Sequence, residues 1–158
     1  MTTRELLARH IASEEKASRT YRYFQSWCAL NGFPGSEKWF RNESKDELRH
    51  MRAFQEYVND VWEGIDPPPV QGQSEISEIP GNLLSCFQAA LNLEKFVLGQ
   101  LNDISEKADE EGDADAERFL QEFTKIGIES IRELTTFVQQ LELADDDPSA
   151  LLVFDSNL

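Results

Sequence analysis

The chain has 158 residues, with 15 Lys and Arg against 30 Asp and Glu, which gives a formal net charge of −15. This acidity argues against nucleic acid and anionic membrane surfaces as partners, because clustered Lys and Arg bind both, and it favours metal cations or basic proteins. A hydrophobic content of 40% is too high for a disordered acidic tail, and the length suits a single domain, residues 1–158, with a full core.

The start of the chain and its cysteines bear on where the protein works. No apolar run approaches the roughly 20 residues that a transmembrane helix needs, and Met1 to Glu5 carry no apolar stretch typical of a secretion signal. Cys28 and Cys86 lie in apolar helical patterns and form no metal-ligand pair. We therefore predict reduced, buried cysteines and a cytoplasmic location.

Helix-breaking residues divide the chain into four long segments. The breaks fall at Asn31–Gly35, Gly64–Gly81, Glu111–Asp113 and Asp145–Pro148. Each segment between them is about 28 residues long and repeats apolar residues with the helical period, and none alternates with the period of a strand. The sequence therefore predicts an all-α protein built from four long helices.

Residues that favour helix starts agree with this division. Thr2 with Glu5 is typical of a capping box, Ser36 is predicted to cap the second helix, and Asp113 is predicted to cap the fourth. The dipeptide 147–148, Asp-Pro, predicts the cap and first residue of a short fifth helix.

The long break between the second and third predicted helices decides the topology. A helix of this length spans about 42 Å, and the roughly 16 residues of Gly64–Ile79 reach about 50 Å when extended. The three prolines at 67–69 favour an extended conformation. We therefore expect this segment to cross the whole bundle and to leave the second and third helices parallel.

Three of the apolar seams are interrupted by a glutamate near the middle of the helix: Glu14, Glu47 and Glu94. His50, three residues after Glu47, faces the same way. Because helix midpoints in a bundle share one level, the sequence predicts three carboxylates and an imidazole in one buried layer. Buried carboxylates repel one another, and no lysine lies on any seam, so a bound metal ion is the simplest compensation. Oxygen ligands with one imidazole suit iron or manganese.

Each element of this layer also has a plainer interpretation. A lone Glu-x-x-His on a helix is usually a solvated face, and a lone glutamate in a seam is usually a misplaced register. The agreement of three seams at one level favours the metal. Tyr21, two turns after Glu14, is on its own more often a core residue, although beside a metal its hydroxyl can bond a ligand carboxylate.

Several stretches carry motifs of a known family. They are 14–21 (EEKASRTY), 40–50 (FRNESKDELRH), 89–95 (AALNLEK) and 131–134 (IREL). Together they resemble ferritins of the eukaryotic H-chain type over essentially the whole chain. The ending 147–153 (DPSALLV) is similar to that of cyanobacterial ferritins.

The resemblance implies a ferritin-like four-helix bundle in a homo-oligomeric shell of 24 subunits, which oxidises Fe(II) with dioxygen and stores the Fe(III) mineral inside. Carried over residue by residue, Glu14, Glu47 and His50 bind the first iron. Glu47 bridges, Glu94 binds the second iron, and Tyr21 supports the site without binding metal. The resemblance thus implies at most two iron ions per subunit, the second held weakly.

Other positions depart from related families. Leu48 stands where bacterioferritins have their haem methionine, and 94–97 (EKFV) lacks their second Glu-x-x-His, so we expect no haem. Gly127 replaces the glutamine or glutamate that ferritins place beside the second iron. The glycine indicates either a second iron position that is open to water or substrate, or close packing of the helix. Arg49 and Arg52 stand near the Glu-x-x-His, where the family often has extra carboxylates.

Three functions stay open at this point. The first is a ferritin with ferroxidase activity. The second is a storage or structural subunit with little activity of its own that co-assembles with a complete partner, as Gly127 and the two arginines suggest. The third is a small metal-binding four-helix protein that forms no shell, for which the short ending 154–158 leaves room. Asp113, Asp115 and Glu117 are candidates for an acidic iron channel, although helix starts favour acids in any case.

Overall fold

The computed structural model describes residues 1–61 and 80–158, and within these ranges every regular element is a helix. The helices are α1 (Thr3–Leu30), α2 (Pro34–Val61), α3 (Leu83–Glu111), α4 (Ala114–Ala144) and α5 (Pro148–Ser156). The prediction of four long helices and a short fifth is confirmed. None of the helices in the described part of the chain is long and apolar enough to cross a lipid bilayer.

Contacts between α1 and α2 show that these helices are antiparallel. Ser18, late in α1, contacts Ser44, whereas His10, earlier in α1, contacts Phe54, later in α2. The two serines exchange hydrogen bonds, since the Ser18 hydroxyl donates to the Ser44 carbonyl at 2.8 Å and the Ser44 hydroxyl donates to the Ser18 carbonyl at 2.9 Å. This buried pair fixes the register of α1 against α2.

Contacts between α1 and α3 show a second antiparallel pair. Thr3, at the start of α1, donates its backbone N–H to Glu111, at the end of α3, and Tyr21 contacts Glu94 in the middle of α3. Since α2 and α3 are both antiparallel to α1, they are parallel to each other, as predicted. The predicted crossover at 64–79 lies outside the described residues, but the helices on either side have the orientation that it requires.

Most predicted caps are confirmed, and one is wrong. Thr2, Asp113 and Asp147 each accept a hydrogen bond from the backbone N–H three residues further on. Ser36 does not cap α2, because the helix begins at Pro34 and Ser36 lies buried within its first turn. A proline suits that first helical position, since its φ is already helical and it has no N–H to satisfy.

The free N–H groups at the start of α2 are instead bound by Asp155 of α5. The buried Asp155 carboxylate accepts from Gly35 N at 2.9 Å and from Ser36 N at 2.7 Å. A carboxylate at a helix N-terminus is favoured by the helix dipole as well as by the two hydrogen bonds. The short fifth helix is therefore attached to the bundle through the start of α2.

Gly35 is where this attachment is most sensitive to mutation. A Cβ at Gly35 would lie 1.9 Å from the backbone oxygen of Asp155, so Gly35→Ala forces α5 away from α2. We expect a loss of about 1–3 kcal/mol in unfolding free energy, or roughly 2–4 °C in Tm per kcal/mol. Gly99→Ala in α3 is the matched control: nothing lies within 4 Å of that Cβ, so Tm should rise slightly. A Gly35→Ala variant as stable as Gly99→Ala would contradict this packing.

The apolar core is split into two clusters along the bundle. One contains Tyr21, Phe24, Cys28, Phe40, Leu83, Cys86, Phe87, Ala90, Leu91, Leu134, Val138, Leu141 and Phe154. The other contains Leu7, Ile11, Phe54, Val58, Leu101, Ile104, Leu120 and Phe123. On all four long helices the same mid-helix level separates the two clusters, and on α1, α2 and α3 that level carries the predicted glutamates.

Candidate metal centre

Four of the predicted site residues meet in the layer between the two apolar clusters. Glu14 comes from α1, Glu47 and His50 from α2, and Glu94 from α3. One ligand atom each of Glu14, Glu47 and His50 lies within 4.8 Å of the others. The three glutamates are 2%, 5% and 6% exposed, in chain order, so none of them points into bulk solvent.

A second group of ligand atoms adjoins the first. It is formed by Glu43, Glu47 and Glu94, again with one oxygen of each within 4.8 Å of the others. Glu47 belongs to both groups and therefore lies between two places that could each hold a cation. The first place has an imidazole and two carboxylates, and the second has three carboxylates.

Sequence reasoning did not assign Glu43 to the site. It lies one helical turn before Glu47 on α2, so the same spacing argument that linked His50 to Glu47 could have found it. Burial, together with the neighbouring carboxylates of Glu47 and Glu94, raises the pKa of Glu43 to about 8. Glu43 is only half-buried, because it lies at the edge of the apolar face of α2. It therefore does not interrupt an apolar seam in the sequence as Glu47 does.

Tyr21 lies where the sequence predicted, beside a candidate ligand. Its hydroxyl is fully buried and donates a hydrogen bond to Oε1 of Glu94. Burial, followed by the nearby charges of Glu94 and Glu47, raises the pKa of Tyr21 well above its ordinary value, so the phenol keeps its proton and remains a donor. One oxygen of Glu94 is therefore occupied by Tyr21.

His10 is a second residue that sequence reasoning missed. It is 1% exposed on α1, and its Nε2 lies 2.8 Å from Oε1 of Glu14, one turn further along the helix. Burial lowers the pKa of His10 to about 4, so the ring is neutral near pH 7. The signal in the sequence was its spacing of four residues from Glu14.

The protonated forms of the carboxylates in the layer are favoured when no cation is present, because the pKa of each is raised. Burial is the largest cause for each: it raises the pKa of Glu47 to about 8, that of Glu94 to about 7, and that of Glu14 above its ordinary value. For His50 burial lowers the pKa, but the carboxylates of Glu47, Glu14 and Glu94 outweigh it and the net shift is upward. A bound cation would replace these protons, because metal ligands must be deprotonated.

The donor set fits a hard or borderline metal ion. His50 Nδ1 lies 3.3 Å from Glu47 Oε2 and 3.9 Å from Glu14 Oε2, so the ring nitrogen faces the carboxylates. Glu14 Oε2 is buried and has no hydrogen-bond partner among the residues that the structure describes, although such an atom normally has one. Carboxylate oxygens with one imidazole nitrogen are ligands that iron and manganese accept.

Gly127 of α4 lies at the same level and supplies no ligand. A Cβ at Gly127 would lie 3.3 Å from Cδ1 of Leu98, so the glycine allows α4 to pack closely on α3. Glu129, two positions further along α4, is exposed and so does not take the place of a ligand at Gly127. The arginines that depart from the family pattern, Arg49 and Arg52, are also exposed, and Arg49 pairs with an acid of its own helix.

The comparisons with known proteins support the fold and identify the family. The model of the ferritin-like domain matches residues 4–144. A probable bacterial non-heme ferritin-like protein of Haemophilus influenzae is 24% identical over 159 residues, which cover 98% of this chain and 92% of that protein. The ferritin of Pacifastacus leniusculus is 29% identical over 131 residues (79% and 68%). Ferritin-1, chloroplastic, of Brassica napus is 30% identical over 129 residues (78% and 49%).

A solved structure supports the same conclusion about the fold. The open pore ferritin of Archaeoglobus fulgidus superposes with a TM-score of 0.90 at 24% identity, covering 98% of this chain and 94% of that one. The relatives come from bacteria, animals and plants at similar identities, so nearness to the H-chain type or to cyanobacterial ferritins stays a prediction. With a family model that spans most of its length, the chain belongs to the ferritin family.

Proposed function

We propose that the protein is an iron-storage ferritin that oxidises Fe(II) with dioxygen at a two-metal site inside each subunit. The observation that carries the proposal is the pair of ligand groups that share Glu47 within one buried layer. The Fe(III) product would be stored as mineral within a homo-oligomeric shell, for which family membership is the support. Iron is thus the substrate and the cargo of the protein.

The first position would be held by Glu14, Glu47 and His50, and the second by Glu47 with Glu94 and Glu43. Two Fe(II) ions bound there each give up one electron, and one dioxygen molecule takes both electrons with two protons and leaves as hydrogen peroxide. Holding the two ions side by side replaces an encounter of three separate molecules. The residues of the chain contribute the spacing, the negative charge and the exclusion of water.

The two positions are expected to differ in affinity. The first has an imidazole with two carboxylates, whereas the second has three carboxylates and no nitrogen ligand. On α4, Gly127 lies at this level and has no side chain to offer the second position. We therefore expect one tight and one weaker site, and metal-soaked crystals with two equally occupied ions in every subunit would contradict this difference.

The activity can be tested on the whole, assembled protein. Metal-free protein is titrated with Fe(II) without oxygen, to count bound ions, and is then exposed to air while Fe(III) absorbance is followed. We expect two ions per subunit and oxidation well above that in buffer alone. Oxidation no faster than in buffer would favour the second candidate, a storage or structural subunit that depends on a complete partner, for which the missing α4 ligand is the structural argument.

Tyr21→Phe tests the support of the second position. The variant leaves the ring in the core but removes the donor to Glu94, and we expect the second metal affinity to fall about 10–100-fold. Tyr23→Phe is the matched control, because Tyr23 lies on the same helix and packs on Phe24 instead. Equal binding of the second ion by both variants, measured by calorimetry with Co(II), would contradict the role of Tyr21.

Shell formation is tested by size-exclusion chromatography of the same preparation. A 24-subunit shell elutes far ahead of a single chain of 18.1 kDa. Elution as a monomer or dimer would exclude the shell and favour a small metal-binding four-helix protein.

A further inference from the structure

His10 is the buried polar residue that the proposed two-metal site does not yet explain. It lies beside the apolar cluster around Leu7, Ile11 and Phe54, with its ring 4.7 Å from that of Phe54. An imidazole in such surroundings costs free energy unless its nitrogens are hydrogen-bonded. Its placement therefore needs a reason beyond packing, since a leucine or phenylalanine would fill the same space.

Glu14 provides that reason. Its Oε1 lies 2.8 Å from His10 Nε2, and both side chains are almost completely buried. A carboxylate that binds a cation has no proton to donate, so in the metal-bound state Nε2 must carry the hydrogen and donate it. Within residues 1–61 and 80–158, Glu14 Oε2 has no hydrogen-bond partner, and Glu14 belongs to the first ligand group.

We propose that His10 is a positioning residue for the first Fe(II) site: by holding Glu14 Oε1, it leaves Oε2 as the single oxygen that Glu14 presents to the metal. The inference rests on the proposed function. Glu14 and Glu94 would then be held in the same way, because the Tyr21 hydroxyl donates a hydrogen bond to Oε1 of Glu94. Both holding residues belong to α1, one on each side of the metal layer.

A neutral donor suits this task better than a charged one. An arginine or lysine at position 10 would neutralise Glu14 and repel an incoming dication, whereas an uncharged imidazole leaves the full negative charge for the metal. The ring of His10 is 1% exposed and lies beside an apolar cluster, and such surroundings favour the uncharged imidazole. The side chain of Gln100, on α3, also lies near the His10 ring.

Gln100 can complete the arrangement from α3. His10 Nδ1 and Gln100 Oε1 are both buried, and neither has a hydrogen-bond partner in the described part of the chain. A terminal amide offers either its oxygen or its nitrogen after a half turn, and its N–H₂ would donate to Nδ1 of an imidazole that carries its hydrogen on Nε2. Gln100 would thereby hold His10 in the tautomer that Glu14 requires.

The test compares His10→Phe with His10→Gln in the whole, assembled protein. Phenylalanine keeps a ring against Phe54 and removes the donor, whereas glutamine restores an N–H one turn before Glu14. The probe is Co(II) without oxygen, whose affinity is measured by calorimetry and whose visible spectrum reports the ligand geometry. His10→Met, which also lacks an N–H, replaces His10→Phe if the latter does not fold.

We expect the variant without a donor to bind the first Co(II) about 10–100-fold more weakly and with an altered spectrum, and His10→Gln to recover most of the affinity. A folded variant without a donor that matches the wild-type affinity and spectrum would overturn the inference while leaving the proposed function intact. The inference also fails if His10→Gln loses as much affinity as His10→Phe. Wild-type protein that binds no Co(II) would instead overturn the proposed function, and the inference with it.

Discussion

Glu47→Gln is expected to slow Fe(II) oxidation about 100-fold or more. Among the described residues, Glu47 alone belongs to both ligand groups, so replacing its carboxylate by an amide weakens both metal positions at once. We expect the variant to lose about 3 kcal/mol of the stabilisation that the metal ions provide to the reaction. Because each 1.4 kcal/mol corresponds to a factor of ten in rate, this loss slows the reaction about 100-fold. The measurement is the initial rate of Fe(III) formation in air, with the metal-free protein as starting material.

The same variant is expected to stabilise the protein when no metal is bound. Burial and the neighbouring Glu14 raise the pKa of Glu47 to about 8. In the wild type, ionising this buried side chain at higher pH therefore lowers the free energy of unfolding. Glutamine fills the same volume without ionising. A site that gains stability when it loses function is typical of residues placed for activity rather than for folding.

Glu56→Gln on the same helix is the matched control, since Glu56 is exposed and belongs to neither ligand group. It should change neither the oxidation rate nor the stability at pH 8. A Glu47→Gln variant that oxidises Fe(II) as fast as Glu56→Gln would mean that the buried layer is not where iron reacts.

The metal-free protein is expected to lose stability as the pH rises from 6.5 to 8. The pKa values of Glu43, Glu47 and Glu94 are raised to between about 7 and about 8, so the folded chain binds protons that the unfolded chain releases. Their contribution to the free energy of unfolding is present at low pH and is lost as the pH rises through these values. The raised pKa of His50 acts in the same direction.

His10 sets the lower limit of this pH range. Burial lowers its pKa to about 4, so its contribution has the opposite sign and is lost as the pH falls below the ordinary histidine value of 6.5. Between pH 6.5 and 8 the carboxylates therefore dominate. Each 1 kcal/mol lost corresponds to roughly 2–4 °C in Tm for a chain of this size.

Bound metal should reverse this trend. Saturating Mn(II) binds the deprotonated ligands, so it stabilises the protein more at pH 8 than at pH 6.5. The measurement is Tm at both pH values, with and without Mn(II), with Glu47→Gln expected to flatten the metal-free curve. A metal-free Tm that rises between pH 6.5 and 8 would contradict the assignment of the protonated carboxylates.

The fold could be predicted where the signal is local. Helical periodicity and the breaks between segments indicated four long helices, and three of the predicted caps use a side chain three residues from its partner. The cap of α2 could not be predicted in this way. Asp155 is far from Ser36 in the sequence, and only the packing of α5 against α2 brings its carboxylate to those N–H groups.

The candidate site was predictable from the glutamates that interrupt an apolar seam and from residues such as His50 that share a helix face with one of them. Glu14, Glu47 and Glu94 stand out because the positions around them are apolar and buried. His10 and Glu43 lie one turn before two of these residues, but spacing alone does not distinguish a supporting residue from a surface one. Their roles emerge from distances and burial, which depend on how α1, α2 and α3 pack together.

The claim on which the account depends is that side chains of three helices hold two metal ions in one buried layer. An anomalous difference map from crystals of the assembled protein soaked in Mn(II) tests it most directly. We predict two peaks per subunit on either side of Glu47, the stronger beside His50 and the weaker beside Glu94. A map with no peak among these residues, while Mn(II) binds elsewhere on the acidic surface, would contradict the account.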